Sequence, residues 1–257
     1  MAITIKTPEE IEILRECGRR LAESIEMTGR LIRPGITTGE LDAYFEKTVR
    51  DRGDIPAFKN YKPAGARTAY PASVCISVNE EVVHGIPGGR VLVEGDIVTL
   101  DGGITHRGLI TDHARTFPVG KISAADAKLL ETTERALYVG IDAAKGTAIV
   151  NAIGRAIEKF VAGRYGIVED LAGHGVGYKV HEDPYVPNYD MGGKAIPLRA
   201  GMVIAIEPML CHGTHEVKLL KDGYTFVSRD GKRSAHFEHT VVITKGAPEI
   251  LTEYVST

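Results

Sequence analysis

Ile11, Leu14, Gly18, Leu21 and Ile25 recur at helical spacing near the start of the chain. Thr7-Pro8-Glu9-Glu10 opens this helix: Thr7 caps, Pro8 suits the first helical position, and Glu10 completes a capping box. Arg33-Pro34-Gly35 stops it. A second helix starts near Thr37-Thr38-Gly39-Glu40, carries Leu41, Phe45, Thr48 and Val49 on one face, and ends by Gly53. Residues 54–72 have little periodicity and contain Pro56, Pro63 and Pro71, which predicts a long loop. Val74–Val78, Asp96–Leu100 and Leu109–Phe117 are short β-prone runs with Gly-rich breaks. Helices are predicted again over Ser123–Ile141 and over the face formed by Ile149, Ile153, Ile157, Phe160 and Val161. From Ile167 to Ile243 the chain reads as strands separated by Gly and Pro.

The order is helix, helix, strands, and then the same again. Pro34-Gly35-Ile36-Thr37 and Lys145-Gly146-Thr147-Ala148 each precede a helix, 111 residues apart. Glu94–Asp101 and Ala200–Glu207 each join a Gly turn, an apolar strand and a carboxylate, 106 residues apart. Either match alone can be coincidence. Together, in one order and at nearly equal offsets, they favour a duplicated α+β unit. A pseudo-two-fold between halves of about 1–120 and 121–257 would set Asp101 and Glu207 facing each other.

Composition narrows the class. The 257 residues are 43% apolar and 25% charged, values of an ordinary globular chain able to fold without disulfides. The 34 acidic and 31 basic side chains leave a net charge of -3, unlike a strongly basic DNA binder. No apolar run reaches the length of a membrane helix, and the first residues show no secretory signal. Cys17, Cys75 and Cys211 are odd in number and far apart, which excludes a fully paired disulfide framework and predicts a reducing, cytoplasmic setting.

Candidate chemistry centres on carboxylates that are costly to bury alone. Asp101 and Glu207 each follow an apolar strand, Asp112 lies eleven residues after Asp101 across a predicted hairpin, and Glu238 lies in another strand. His174 sits among Gly173, Gly175 and Gly177. Singly, these read as strand-end caps or a loop histidine. Four carboxylates and one imidazole together form a hard, oxygen-rich set, suited to two divalent first-row ions rather than to a structural zinc.

These residues resemble the methionine aminopeptidases. The likeness rests on Asp101 and Asp112, GHGVG at 173–177, His181 seven residues after His174, IEPML at 206–210 and FEHT at 237–240. SVCISVNEEVVHGIP at 73–87 and the opening IKTPEEIEILRECGR add to it, so that residues 3–252 are covered. The resemblance implies the pita-bread α/β fold: pseudo-symmetric helix–helix–strands units around a central antiparallel sheet, in one catalytic domain over 1–257. Glu207 and Glu238 are only 31 residues apart, which leaves no room for the helical insertion of type II enzymes. The chain resembles the short prokaryotic type I form.

The resemblance further implies that Asp101 ligates one metal, that His174 and Glu207 ligate the other, and that Asp112 and Glu238 bridge them. A bridging water or hydroxide would attack the carbonyl of the N-terminal methionine, with Glu207 a candidate proton shuttle. His84 and His181 match the family's two non-ligand histidines and would hydrogen-bond the scissile amide or the tetrahedral species. Cys75, Tyr70, Tyr61, Phe58 and Tyr224 match regions that form the methionine pocket. The family tends to have a large aromatic where Val180 stands, so a wider rim is expected. His106, His113, His212, His215 and His236 are expected at the surface or behind the ligands, and His239 on the face opposite Glu238.

The expected substrate is the N-terminus of a nascent polypeptide with a small second residue. The metals implied are cobalt, manganese, iron or zinc. A monovalent cation on backbone oxygens near Asn79 and Ser234 is a further expectation. Lys59, Lys62 and Arg67 offer a basic loop for a transient ribosome contact, although three charges more often make a solvated surface. DNA or membrane binding is not expected, and nothing demands more than a monomer. The rival readings are a pita-bread enzyme cleaving X-Pro bonds, whose relatives usually carry an additional N-terminal domain, and a catalytically dead binding module, which would have lost metal ligands.

Overall fold

Thr7 caps the first helix as the pattern predicts: its hydroxyl accepts from the Glu10 amide, and the Glu10 carboxylate accepts from the Thr7 amide. The structure, a computed structural model, describes residues 3–63, 65–193 and 195–254. Helices α1 (Pro8–Gly29) and α2 (Thr38–Asp51) are followed by β1 (Ile55–Pro56), β2 (Cys75–Val78), β3 (Glu81–Val83), β4 (Ile97–His106) and β5 (Leu109–Pro118). Next come α3 (Ala124–Ala143), α4 (Asn151–Val161), β6 (Gly166–Ile167), β7 (Gly173–Gly175), β8 (Glu182–Val186) and β9 (Val203–Ile206). The chain closes with β10 (Met209–Cys211), β11 (Val217–Leu219), β12 (Phe226–Ser228), β13 (Ser234–His236), β14 (Glu238–Val242) and β15 (Glu249–Ile250).

Two expectations need correction. The segment 54–72 is not all loop, because β1 pairs with β4 through Ile55↔Thr105 and Pro56↔Ile104. The strand expected over 96–100 runs on to His106, so Asp101 lies mid-strand and not at a strand end. Gly102 and Gly103 look like a break but are strand residues. A Cβ on Gly102 would come 2.9 Å from the Phe45 ring, and one on Gly103 2.9 Å from the Phe58 ring. These glycines make room for aromatic packing on the strand.

Among the described residues nine strands form one antiparallel sheet, with the order β1-β4-β5-β14-β9-β7-β8 and with β2 on β4 and β15 on β14. The duplication is visible in its bonding. The isolated bridge Thr37↔Val91 before α2 has its counterpart in Ile149↔Pro197 before α4. Leu92 N–H donates to Ile36 O, and Leu198 N–H donates to Ala148 O. Gly95 and Gly201, 106 residues apart, both turn at φ near +90° (90° and 88°), a conformation that favours glycine. The helices of each half cover that half's strands. Leu21, Ile25, Phe45, Val98 and Leu100 share one core; Leu137, Ile153, Ile157, Ile204 and Val241 share the other. All three cysteines are buried and free. Among the described residues no helix is long and apolar enough to cross a membrane.

Candidate metal centre and active site

Sheet order gathers five residues that are far apart in sequence. Asp101 is on β4, Asp112 on β5, Glu238 starts β14, Glu207 follows β9 and His174 is on β7, five strands that are consecutive in the sheet. Directly opposite residues in an antiparallel pair share a face, as do residues two apart. Asp101 pairs with Ala114, and Ala114 pairs with Glu238. Asp112 is two residues from Ala114, so all three carboxylates point the same way. The β14–β9 pairs end at His239↔Ile206, so Glu238 and Glu207 each adjoin the last residue pair of that ladder. His113 and His239, one residue along, lie on the other face, where their rings stack at 4.9 Å.

Donor atoms of Asp112, His174 and Glu238 lie within 4.8 Å of one another. His174 Nε2 is 3.5 Å from Glu207 Oε1 and 3.9 Å from Asp112 Oδ2. A Cβ on Gly173 would stand 2.2 Å from Ala205 O, and one on Gly175 2.2 Å from Asp183 O. The glycines around His174 thus serve close strand approach. Cys75 is the cross-strand partner of Asp101.

The site is a cluster of buried carboxyl groups. Burial pushes Asp101 up to about 7, with a partial offset from the Cys75 thiol. Burial, followed by the Asp101 charge, drives Asp112 well above the usual carboxylate range. Burial raises Glu207 and Glu238 likewise, with Asp112 the leading charge against each. His174 is pushed down to about 3 by burial first and by His181 second. Glu238 Oε1 is buried without a hydrogen-bond partner. Clustered acceptors, neutral imidazole and an orphaned carboxylate oxygen fit divalent cations, which neutralise such charges and take oxygen and nitrogen donors.

A cavity of about 300 Å³ opens beside this cluster. All five ligand candidates line it: Asp101, Asp112, His174, Glu207 and Glu238 face the cavity, together with His84 and His181. His84 sits at φ 59° after β3, and burial holds it down to about 4, so the ring is neutral. His181 is at the exposed mouth, with its Nδ1 3.0 Å from the Tyr61 hydroxyl and its ring 4.4 Å from that of His174. Phe58, Tyr70, Cys75 and Tyr224 form one buried apolar cluster with Val180, and Tyr61 packs against it. Val180 lines the cavity as part of this cluster, 4% exposed, and the Tyr61 ring lies 5.6 Å from that of His181. Tyr70 is held by a 2.8 Å bond to Gly85 O and by edge contact with Tyr224. Ala64, within the 62–69 segment beside the pocket, lies outside the described residues.

Several lining residues escape sequence reasoning. Leu171 and Tyr185 reach the cavity without any motif of their own, and Val83 and Met209 reach it from within the 73–87 and 206–210 stretches, where residue type alone does not mark them as lining. His236 is not a surface group but is 1% exposed, with its Nε2 3.7 Å from Glu207 Oε2. His113 is also buried, whereas His106 and His212 pair with Asp54 and Asp126, and His215 is exposed. Lys59 of the basic loop is paired with Glu46, which leaves Lys62 and Arg67 as its exposed charges.

The turn that carries His181 is anchored by the start of the chain. Glu182 accepts from Lys6 Nζ at 2.8 Å, from Thr4 Oγ1 at 2.6 Å and from the amides of Tyr178 and Lys179. The Lys6 and Glu182 side chains are 1% and 5% exposed. Removing one partner of a buried pair strands the other, at about 3–5 kcal/mol. Lys6→Met is therefore expected to lower unfolding stability by about 3 kcal/mol in a denaturant titration, and Lys6→Met/Glu182→Gln to recover part of it. A loss under 1 kcal/mol would show the anchor is unimportant.

Residues 12–245 match the model of metallopeptidase family M24, and the chain belongs to that family. It is 46% identical to methionine aminopeptidase 1 of Bacillus subtilis over 97% of this chain and 99% of that one. It is similar in structure to the methionine aminopeptidase of Rickettsia prowazekii, with a TM-score of 0.93 and 33% identity over 98% of this chain and 100% of that one. A prolidase from Pyrococcus furiosus shares the fold, with a TM-score of 0.76 and 24% identity over 98% of this chain and 66% of that one. The fold is the expected pita-bread arrangement around a central antiparallel sheet.

Proposed function

We propose that this chain removes the N-terminal methionine from proteins whose second residue is small, as a methionyl aminopeptidase acting on nascent N-termini. The observation that carries this reading is one cavity lined by the four candidate ligand carboxylates, His174, two further histidines and an aromatic-rich apolar cluster. Residues 1–257 act as one catalytic domain of two halves. Asp101, Asp112, His174, Glu207 and Glu238 hold two divalent ions. When bound, these ions supply Lewis acidity and lower the pKa of a water nucleophile.

The protein's own groups do the rest. The apolar cluster of Phe58, Tyr61, Tyr70, Cys75 and Tyr224 receives the methionine side chain. Asp101, at the edge of the cluster beside Cys75, attracts the free α-amino group and makes a chain terminus part of the recognition. Neutral His84 and His181 face the same cavity and can donate to the amide being cleaved, where developing charge is stabilised by pre-placed donors. Glu207 is placed to move a proton. The ions are cobalt, manganese, iron or zinc, since this donor set accepts each of them. A monovalent cation site belongs near Asn79 and Ser234, where Asn79 O already accepts from the Ser234 amide at 2.9 Å. The enzyme works as a cytoplasmic monomer; a ribosome contact through Lys62 and Arg67 is a minor extension of this reading.

A peptide panel tests the proposal. Met-Gly-Met-Met should release methionine rapidly, its N-acetylated form should not react, and a bulky second residue should slow release. Rapid X-Pro cleavage without methionine release would favour the prolidase-like alternative.

A further inference from the structure

His236 ends β13, two residues before Glu238, and pairs with Met209, two residues beyond Glu207. It is therefore bracketed in sequence and in register by two candidate ligands. The ring is 1% exposed, yet neither nitrogen has a hydrogen-bond partner. Buried polar groups are normally satisfied, so this imidazole has a role that protein contacts alone leave unfilled.

Its surroundings indicate which role. Nε2 is 3.7 Å from Glu207 Oε2 and 4.0 Å from Glu238 Oε2. The other oxygen of Glu207, Oε1, is 3.5 Å from His174 Nε2. One Glu207 carboxylate thus stands between two imidazoles, with one oxygen turned to each. The tight donor group consists of Asp112, His174 and Glu238, without His236. A contact of 3.7 Å is too long for a hydrogen bond, but a small rotation of the carboxylate closes it.

We propose that His236 is a positioning residue: its Nε2–H donates to Glu207 Oε2 and turns Oε1 toward the ion shared with His174. The inference rests on the two-ion reading above. Partners behind a ligating carboxylate fix its orientation, and their loss typically weakens metal binding about 10–100-fold. Glutamine keeps an N–H donor on a shorter arm, whereas leucine keeps bulk without a donor.

The test uses metal-stripped full-length protein reloaded with cobalt(II). His236→Leu should weaken binding of one of two ions about 10–100-fold, while His236→Gln stays within a few-fold of the parent. The number of imidazoles bound per cobalt, counted by X-ray absorption, should be the same in the parent and in His236→Gln. His236→Ala repeats the comparison should the leucine variant fail to fold. Parent-like binding of both ions in the leucine or alanine variant overturns the proposal. An imidazole missing from the count in His236→Gln also overturns it, because His236 would then be a ligand itself. A parent that binds no divalent ion instead overturns the two-ion reading on which the inference rests.

Discussion

Asp112→Asn is expected to cut peptide turnover by on the order of 10³-fold or more and, in the same protein without metal, to raise thermal stability. The turnover loss follows from its place. Asp112 contributes to the tight donor group with His174 and Glu238, and asparagine offers a neutral oxygen in place of an anion. Metal ions supply several kcal/mol of transition-state stabilisation, and each ~1.4 kcal/mol is a factor of ten in rate. The fold should survive. The Asp112 backbone is fixed by Thr240 Oγ1, which accepts from its amide and donates to its carbonyl, and Asp112 Oδ1 accepts from the His113 amide. Asparagine can keep all three bonds. The stability gain follows from removing a carboxyl that burial first, and the Asp101 charge second, hold well above its usual range, and that is also the leading charge against both Glu207 and Glu238. Each kcal/mol so relieved raises Tm by about 2–4 °C in a domain of this size. Unchanged turnover, or a lower metal-free Tm at pH 8, would count against the assignment.

The metal-free protein should also lose stability as pH rises from 6.5 to 8, and bound metal should remove that loss. Asp101, Asp112, Glu207 and Glu238 are raised on folding, so above pH ~4 the folded chain holds protons that the unfolded chain has released. Stability then falls with rising pH, by about 1.4 kcal/mol per pH unit for each extra proton held. The Asp101 contribution ends as pH passes its value of about 7, and the others persist above it. Buried histidines act in the opposite sense. Burial lowers His84, His113, His174, His236 and His239, so below pH ~6.5 the unfolded chain binds protons that the folded chain refuses. Stability therefore falls on acidification below ~6.5, while above it this histidine effect is gone and the carboxylate effect remains. Bound cations keep the carboxylates ionised, which flattens the slope above 6.5. Binding at 100 times Kd adds about 2.7 kcal/mol as well. Denaturant titrations at pH 6.5 and 8, with chelator and with metal, check this; a metal-free protein equally stable at both values contradicts it.

Much of the fold was legible because its signals are local. Thr7 with Glu10 announces the first helix, and the Gly turns at 35, 95 and 201 mark the repeat. The ligand candidates are legible from residue type and position, but only the resemblance distributes them over two ions, since what unites them is register. Asp101, Asp112 and Glu238 share a face because each sits opposite, or two residues from, Ala114. Gly102 and Gly103 misled for a physical reason: they punctuate most chains, whereas here they clear space for Phe45 and Phe58. His236 carries no local sign of its burial, which depends on the pairing of β10 with β13. The anchor between Lys6 and Glu182 spans 176 residues and had no sequence signal at all.

Methionine release by metal-stripped protein, titrated with each divalent ion on Met-Gly-Met-Met, tests the central claim most directly. Activity should be absent at the start, rise with added ion, and level off by two equivalents per chain. Undiminished release from protein shown to hold no metal would contradict it.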